Sequence, residues 1–276
     1  MRILIIGASS YLGARFYVDL KKYFDVVGTY SSNRFFPDLL HLDITSKKQV
    51  ETLVSQIKPD LIIHCANLPK NAPMKENPDL AKKVNLDGTG YLVEAANKIG
   101  AKFIFISTIA SKLNNDYYTS YKFESEKIVK TTNSGWLILQ PAYILGYSPN
   151  TVNDRPFNRL YKNIVKKTPA VYDTSWRTQS SYIGQIVEII LTCIKKNIWN
   201  ESIPISVSEV KSRYEIARDI LKHFDMQVAS VDKKDTTDTI EDDQSTLKRL
   251  GLPVYSYDEI IGKIVDETKR HLQSGL

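Results

Sequence analysis

The feature that most constrains this chain is its first turn. Arg2–Ile6 is a short, mostly β-branched run that ends at a glycine, and Gly7-Ala8-Ser9-Ser10-Tyr11-Leu12-Gly13 leads into helical spacing of apolar residues through Leu12, Phe16 and Leu20. Gly7 permits a tight strand-to-helix turn, and Gly13 permits close packing of that helix on the strand. A helix that starts there offers its first N–H groups and the positive end of its dipole to a pyrophosphate. An ordinary βα turn is the competing reading; strand before, helix after, and a series of such units behind it favour the phosphate-binding one. Ser10 stands where many dinucleotide folds carry a middle glycine, so its Cβ and hydroxyl are expected to alter the phosphate approach. The Ile3–Ile6 run has a passing likeness to a signal peptide but is too short and breaks at Gly7, so it reads as a first strand.

Strand and helix signals then alternate. Val26–Tyr30, Leu61–Cys65, Lys102–Ser107 and Trp136–Gln140 read as strands. Tyr11–Tyr23, Ser46–Ile57 with Thr45 as its N-cap, Pro78–Ile99 and Tyr117–Lys130 read as helices. Leu61–Cys65 is apolar apart from His64, as expected of a strand covered on both faces. The fold class is therefore α/β: a Rossmann-type, doubly wound parallel sheet. In the second half, Asp154–Lys167, Ile183–Lys196, Ser212–Phe224 and Tyr257–Leu272 read as helices, Ile203–Val207 as a strand, and the acidic Asp232–Asp243 stretch as a surface loop. No clean linker separates the halves. The expected organisation is a nucleotide-binding domain over residues 1–146 and a smaller mixed α/β substrate lobe over 147–276, partly intermingled with the first.

Composition narrows the function. At 276 residues, with 42% hydrophobic and 25% charged residues, the chain can bury a sizeable core and is not of the disordered type. No apolar run approaches the ~18 residues of a membrane span. Cys65 and Cys193 lie far apart with no paired spacing, and the histidines show no ligand spacing, so neither a disulfide framework nor a metal site is expected, and a reducing cytoplasm is. The formal charge of +6 comes from scattered lysines rather than a basic-aromatic stripe, so no nucleic-acid partner is expected.

Two further constellations carry chemistry. The second strand is followed by Ser31-Ser32-Asn33-Arg34, with no carboxylate to hold a ribose 2′-hydroxyl. Ser32 and Arg34 could instead receive a 2′-phosphate, which favours NADP(H) over NAD(H), unless Arg34 is only a solvated loop side chain. Tyr118 and Lys122 share one face of a helix. A nearby ammonium favours phenolate, and a tyrosine so tuned can pass a proton to or from a carbonyl as hydride moves. Tyr117 and Tyr121 are rivals, but only Tyr118 has a lysine four residues on. Thr108 closes the preceding strand, where ligands of parallel sheets sit, and can bring a hydroxyl to the same carbonyl. A tyrosine and a lysine on a solvated helix face remain the plain alternative.

Together these residues resemble the extended short-chain dehydrogenases/reductases, in particular the branch of dTDP-4-dehydrorhamnose reductase, over nearly the whole chain and most strongly over residues 1–146. The carriers are the Gly7–Gly13 turn, Asp43 in Leu42-Asp43-Ile44, Cys65-Ala66-Asn67, Asn85, Ser107-Thr108, the Tyr118, Lys122 and Glu126 spacing, and Pro141 in Gln140-Pro141-Ala142. The resemblance implies that Tyr118 is the general acid/base, that Lys122 holds the nicotinamide ribose and tunes Tyr118, and that Thr108 binds the substrate oxygen. Asn85 would support the helix bearing the pair, or a proton-relay water. It implies cofactor contacts at Gly7, Ser9, Ser10, Tyr11, Leu12, Gly13, Ser32, Arg34, Asp43, Ile44, Cys65, Ala66, Asn67, Asn85, Ser107, Tyr118, Lys122 and Pro141. It also implies a homodimer through Pro78–Ile99 and Tyr117–Lys130.

The expected activity is NADP-dependent hydride transfer at a carbonyl of a sugar nucleotide or related small metabolite. A sugar-nucleotide epimerase and a non-catalytic dinucleotide-binding sensor are the rivals. Ile109 after Thr108 counts against a dehydratase, which usually adds an acid there. Two departures from the family pattern stand out. Only nine residues separate Thr108 from Tyr118, and Gly184-Gln185 replaces an aspartate pair that often opens a helix. Trp176 and Arg177 could meet an anionic or sugar substrate or be ordinary surface contacts, and His64 and Cys65 read as core residues.

Overall fold

The computed structural model describes residues 1–68 and 77–274. Its first unit comprises Met1–Gln140 and Cys193–Ile203, and its second Pro141–Thr192 and Pro204–Leu276.

In the first unit the chain runs β1 (Arg2–Ile6), α1 (Tyr11–Leu20), β2 (Asp25–Tyr30), β3 (Leu40–His41), α2 (Lys47–Ile57), β4 (Leu61–His64), α3 (Pro78–Lys82), a π-turn (Lys83–Asp87), α4 (Gly88–Ile99), β5 (Lys102–Ile106), a 3-10 turn (Ile109–Leu113), α5 (Tyr117–Val129) and β6 (Trp136–Pro141). The later strand β11 (Glu201–Ile205) completes a seven-stranded sheet of order β11-β6-β5-β4-β1-β2-β3, parallel from β6 through β3. The chain first steps outward from β1 to β2 and β3, then returns to the other side of β1 for β4, β5 and β6. This is the expected doubly wound sheet, with its switch point between β1 and β4, where Ile6 pairs with His64. Ile3 to Ile6 and Leu61 to His64 are buried throughout, which explains runs without polar alternation. One face is filled by Leu4, Ile6, Ile62, Phe103 and Phe105 against Val50 and Val54 of α2 and Leu92, Val93 and Ala96 of α4. The helix α1 packs on β1 and β2.

Several expectations are corrected in detail. Ser46, not Thr45, caps α2: its hydroxyl accepts from Gln49 N–H, while the Thr45 hydroxyl is already donating to Asp43 at 2.7 Å. Pro78–Ile99 is not one regular α-helix, because the π-turn at Lys83–Asp87 interrupts it. The expected strand at Ile203–Val207 lies at Glu201–Ile205.

The second unit contains elements too short for a periodicity to reveal. They are β7 (Tyr143–Leu145), paired in parallel with β10 (Ser180–Tyr182); β8 (Ala170–Asp173), paired in parallel with β13 (Val228–Val231); and β9 (Arg177–Thr178), antiparallel to β12 (Lys211–Ser212). Its helices include α6 (Pro156–Lys166), α8 (Arg213–Leu221), α9 (Ser245–Arg249) and α10 (Tyr257–Gln273), while α7 (Ile183–Lys196) begins here. The 232–243 segment has no regular element yet is tied down: Gln179 receives from Asp242 N–H and donates to its carbonyl, and Thr239 donates to the Arg177 carbonyl. Among the described residues, no helix is long and apolar enough to cross a membrane.

The glycine turn is the tightest point of the sheet. A Cβ on Gly13 would lie 2.1 Å from the Gly7 carbonyl oxygen, whereas one on Gly90 in α4 would meet nothing within 4 Å. Gly13→Ala is expected to lower the free energy of unfolding by roughly 2 kcal/mol or more. Gly90→Ala should raise it by about 0.5–1 kcal/mol. Urea denaturation of the two variants separates them, and equal effects would contradict the packing just described.

Candidate functional site

The site is built at the carboxyl ends of β1, β4 and β5. At β1, Gly7 turns the chain at φ +82° with no room for a side chain: a Cβ would sit 2.8 Å from the Ala66 amide nitrogen. Two bonds tie the turn to β2, from Gly7 N–H to the Thr29 hydroxyl at 3.1 Å and from Ala8 N–H to the Thr29 carbonyl at 2.7 Å. Ser10 is the N-cap of α1, and its hydroxyl accepts the Gly13 N–H at 3.0 Å. The residue that departs from the glycine pattern thus satisfies an otherwise open helix donor. Tyr11 is buried and Leu12 half-buried in the first turn of α1.

The segment after β2 is fastened to this turn and to α1. The Ser9 hydroxyl accepts the Phe35 N–H at 3.2 Å, and Asp38 accepts from both the Tyr17 hydroxyl and Lys21. Ser32 and Arg34 are exposed on this segment. The Arg34 guanidinium donates to the Pro37 carbonyl and lies 5.9 Å from the centroid of the Tyr30 ring. Asp43 is half-buried, with one carboxylate oxygen held by the Thr45 N–H and hydroxyl, and Ile44 is buried against Gly88.

At β4, the Asn67 side chain donates to the Leu68 carbonyl, and Asn85 clamps Leu68 from both sides: its Oδ1 accepts the Leu68 N–H at 2.7 Å and its Nδ2 donates to the Leu68 carbonyl at 3.1 Å. The Asn85 backbone carbonyl lies within the π-turn. It accepts from the Ser125 hydroxyl on α5 at 2.8 Å and from Thr89 at 3.2 Å. Asn85 therefore joins the end of β4 to the helix that carries Tyr118 and Lys122. Because the Thr89 hydroxyl gives its proton to Asn85, it accepts from His64 Nε2 at 3.1 Å. The imidazole is thereby the Nε2–H tautomer, with Nδ1 buried and unpartnered. Burial, reinforced by the Lys122 charge, pulls its pKa down to about 3. Burial likewise raises the Cys65 thiol, which argues against a nucleophile there.

At β5, Thr108 follows the strand end and its hydroxyl accepts the Ala110 N–H at 3.3 Å, opening the 3-10 turn. The short connection to Tyr118 is ordered by that turn, by Asn114 in the left-handed region, and by a capping box between Asp116 and Thr119. Tyr118 lies half-buried in the first turn of α5. Lys122 is buried, and its ammonium donates to the Ile106 carbonyl at 2.8 Å and sits 4.5 Å from the Phe105 ring centroid. The rival tyrosines Tyr117 and Tyr121 stack on each other at 6.1 Å, with Tyr117 64% exposed. The structure also supplies a group whose neighbours the sequence did not reveal. Glu126, one turn beyond Lys122, is buried and accepts from the hydroxyls of Ser107 and Ser111 and the amide of Gln140. Pro141 is buried at the end of β6.

In the second unit, Arg177 bonds Glu215 and the Val210 carbonyl, while Trp176 packs edge-on to Tyr143 at 5.4 Å and beneath Arg213 at 4.2 Å. Burial raises the Asp173 pKa, but the Ser175 hydroxyl and the N–H groups of Lys233, Ser175 and Trp176 outweigh it, and the net shift is downward.

The doubly wound sheet with a tight glycine turn at its switch point is a Rossmann-type fold, shared with solved dTDP-4-dehydrorhamnose reductases and UDP-glucose 4-epimerases. The resemblance read from the sequence holds at this level. Residues 1–110 match the family model described as RmlD substrate binding domain. The methionine adenosyltransferase 2 subunit beta of Bos taurus is 28% identical over 159 residues, 52% of this chain and 47% of that protein, so this match spans about half of the relative's length. The dTDP-4-dehydrorhamnose reductase of Aggregatibacter actinomycetemcomitans is 26% identical over 75% of this chain and 71% of its own. The solved dTDP-4-dehydrorhamnose reductase of Bacillus anthracis, in complex with NADP, superposes with a TM-score of 0.80 at 20% identity, covering 96% of this chain and 98% of that one, which is a likeness of fold.

The His64 environment makes a measurable acid limb. An unfolded chain takes up the imidazole proton near pH 6.5, whereas folded His64 resists it down to about 3. Its contribution is intact above pH 6.5 and is lost as pH falls towards 3, at up to about 1.4 kcal/mol per pH unit. The stability difference between wild type and His64→Gln should therefore shrink in urea melts from pH 7 to 5. A difference constant with pH would show that His64 takes up its proton as readily in the folded chain as in the unfolded one.

Proposed function

We propose that this chain is an NADP(H)-dependent oxidoreductase that moves hydride to or from a carbonyl carbon of a sugar nucleotide or related metabolite, in the manner of dTDP-4-dehydrorhamnose reductase. The observation that carries the reading is Lys122. Its buried ammonium is fixed on the Ile106 carbonyl, two residues before Thr108, and Tyr118 stands one turn earlier on the same helix face. A buried lysine held beside a strand end has its charge directed rather than solvated. In this reading Lys122 favours the Tyr118 phenolate and holds the nicotinamide ribose, Tyr118 exchanges the proton with the substrate oxygen, and Thr108 orients that oxygen by hydrogen bonding.

The residues of the first unit fit a dinucleotide. The Gly7–Gly13 turn and the start of α1 would take the pyrophosphate. Asp43 and Ile44 would border the adenine, and Cys65, Ala66, Asn67, Asn85, Ser107 and Pro141 would line the path of the nicotinamide half. Arg34, anchored at one nitrogen by Pro37, would offer its remaining donors with Ser32 to the 2′-phosphate. The second unit would receive the substrate. A homodimer through the helices over Pro78–Ile99 and Tyr117–Lys130 belongs to the same reading.

A second reading has its own support. The bovine relative is by name the beta subunit of a methionine adenosyltransferase, so a dinucleotide-binding subunit that itself turns nothing over is the rival. Retention of Thr108, Tyr118 and Lys122 together favours the reductase.

Fluorescence titration of the purified protein with NADPH and NADH tests the cofactor assignment. NADPH is expected to bind more tightly, and Arg34→Ala to weaken NADPH about tenfold or more while sparing NADH. A preference for NADH would sink the 2′-phosphate assignment. For the chemistry, NADPH oxidation with dTDP-4-dehydrorhamnose is followed. Tyr118→Phe should lose at least about 10²-fold in kcat with NADPH affinity nearly unchanged. Absence of turnover in a wild-type protein that binds NADPH would favour the subunit reading.

A further inference from the structure

Glu126 is buried at 7% exposure, and its carboxylate accepts from neutral side-chain donors. Its Oε1 accepts the Ser107 hydroxyl at 2.5 Å, the Ser111 hydroxyl at 2.8 Å and the Gln140 amide at 2.9 Å, and its Oε2 accepts the same amide at 3.1 Å. Taking a carboxylate out of water is costly unless every lone pair finds a donor, and an apolar residue of similar volume often serves stability as well. The stability of the fold therefore gives little reason for this group.

Geometry gives a better one. Ser107 immediately precedes Thr108, and Ser111 lies in the 3-10 turn that the Thr108 hydroxyl opens. The two serines thus bracket Thr108, and one carboxylate oxygen takes both. Glu126 is on the α5 face that carries Tyr118 and Lys122, so successive turns of this helix hold the Ile106 carbonyl, through Lys122, and the residues flanking Thr108, through Glu126. Gln140, at the end of the neighbouring strand β6, donates to both carboxylate oxygens and fixes the orientation of the group. An apolar side chain could fill the space but could not hold two hydroxyls at defined angles.

We propose that Glu126 is a positioning residue for Thr108: through Ser107 and Ser111 its buried carboxylate locks the 107–111 turn against the helix that carries Tyr118 and Lys122. The proposal rests on the reading of Thr108, Tyr118 and Lys122 as the reacting groups. It adds that the substrate-oxygen donor and the proton donor are kept in register by a residue that touches neither substrate nor cofactor.

The test is hydrogen–deuterium exchange of the full chain, read by mass spectrometry over residues 107–113 and over β1 and β4. Glu126→Met, which keeps volume and removes both acceptors, should speed exchange over 107–113 about tenfold or more and leave β1 and β4 as they were. Ser111→Ala, which removes one arm, should give a smaller rise in the same segment, and it decides the matter should the methionine variant not fold. Glu126→Gln retains an oxygen for both serines but sets an NH2 against the Gln140 amide in place of Oε2, so its exchange should lie nearer wild type than that of the methionine variant. An unchanged 107–113 segment, or a rise as large in β1 and β4, would overturn the proposal. With NADPH and dTDP-4-dehydrorhamnose, Glu126→Met should lower kcat with KM held, and Glu126→Gln should restore it. Wild-type protein without turnover would remove the reductase reading and leave the exchange result to decide the role of Glu126.

Discussion

Everything in the first unit depends on one close approach. Gly7 at the end of β1 lies so near Ala66 at the end of β4, and Gly13 so near the Gly7 carbonyl, that neither glycine has space for a methyl group. That contact brings α1 down onto the sheet at the point where the chain reverses its direction of winding. It leaves backbone rather than side chains lining the turn, the kind of surface that helix N-termini offer to phosphates. Thr29 fastens the turn to β2 through its hydroxyl and its carbonyl, so the approach is held from both flanks.

From this point the site is assembled by polar clips between buried elements rather than by apolar packing alone. Asn85 is the hinge of the arrangement: its side chain holds Leu68 past β4, and its carbonyl, in the π-turn, accepts from Ser125 on α5. Lys122 then joins α5 to β5, and Glu126 joins it to the residues around Thr108 and to β6. The Lys122, Glu126 and Asn85–Ser125 clips are buried, where an unmade hydrogen bond costs more than a made one gains, so few alternative arrangements compete. The cluster fixes positions that hydrophobic contacts would leave loose, and this is the precision the proposed hydride transfer would need.

Much of this could be read from the chain. The apolar runs at Ile3–Ile6 and Leu61–Ile63 sit in strands buried on both faces, and the Gly7–Gly13 spacing sits in a strand–turn–helix as expected. Among these tyrosines only Tyr118 has a lysine four residues on, and Tyr117 and Tyr121 stack on each other. The misreadings have local causes. Thr45 has the side chain of an N-cap, but Asp43 claims its hydroxyl and Ser46 caps the helix instead. The helix over Pro78–Ile99 hid its π-turn because one extra residue per turn leaves hardly any trace in a hydrophobic pattern. The ribbons of the second unit, two to four residues long, fall below the length at which a period can be seen.

The sequence by itself determined the doubly wound sheet, its glycine turn and the helix face with Tyr118 and Lys122, because burial on two faces, a missing Cβ and a four-residue spacing are local properties written in residue types. Only the tertiary structure decided that Ser10 serves as a cap, that His64 is a neutral Nε2–H imidazole passing its hydrogen bond to Thr89, and that Ser107, Ser111 and Gln140 converge on Glu126. Those facts depend on which hydroxyl or amide arrives beside which acceptor once distant segments pack. Serine, glutamine and histidine are chemically able to make many such bonds, and it is the fold that chooses among them.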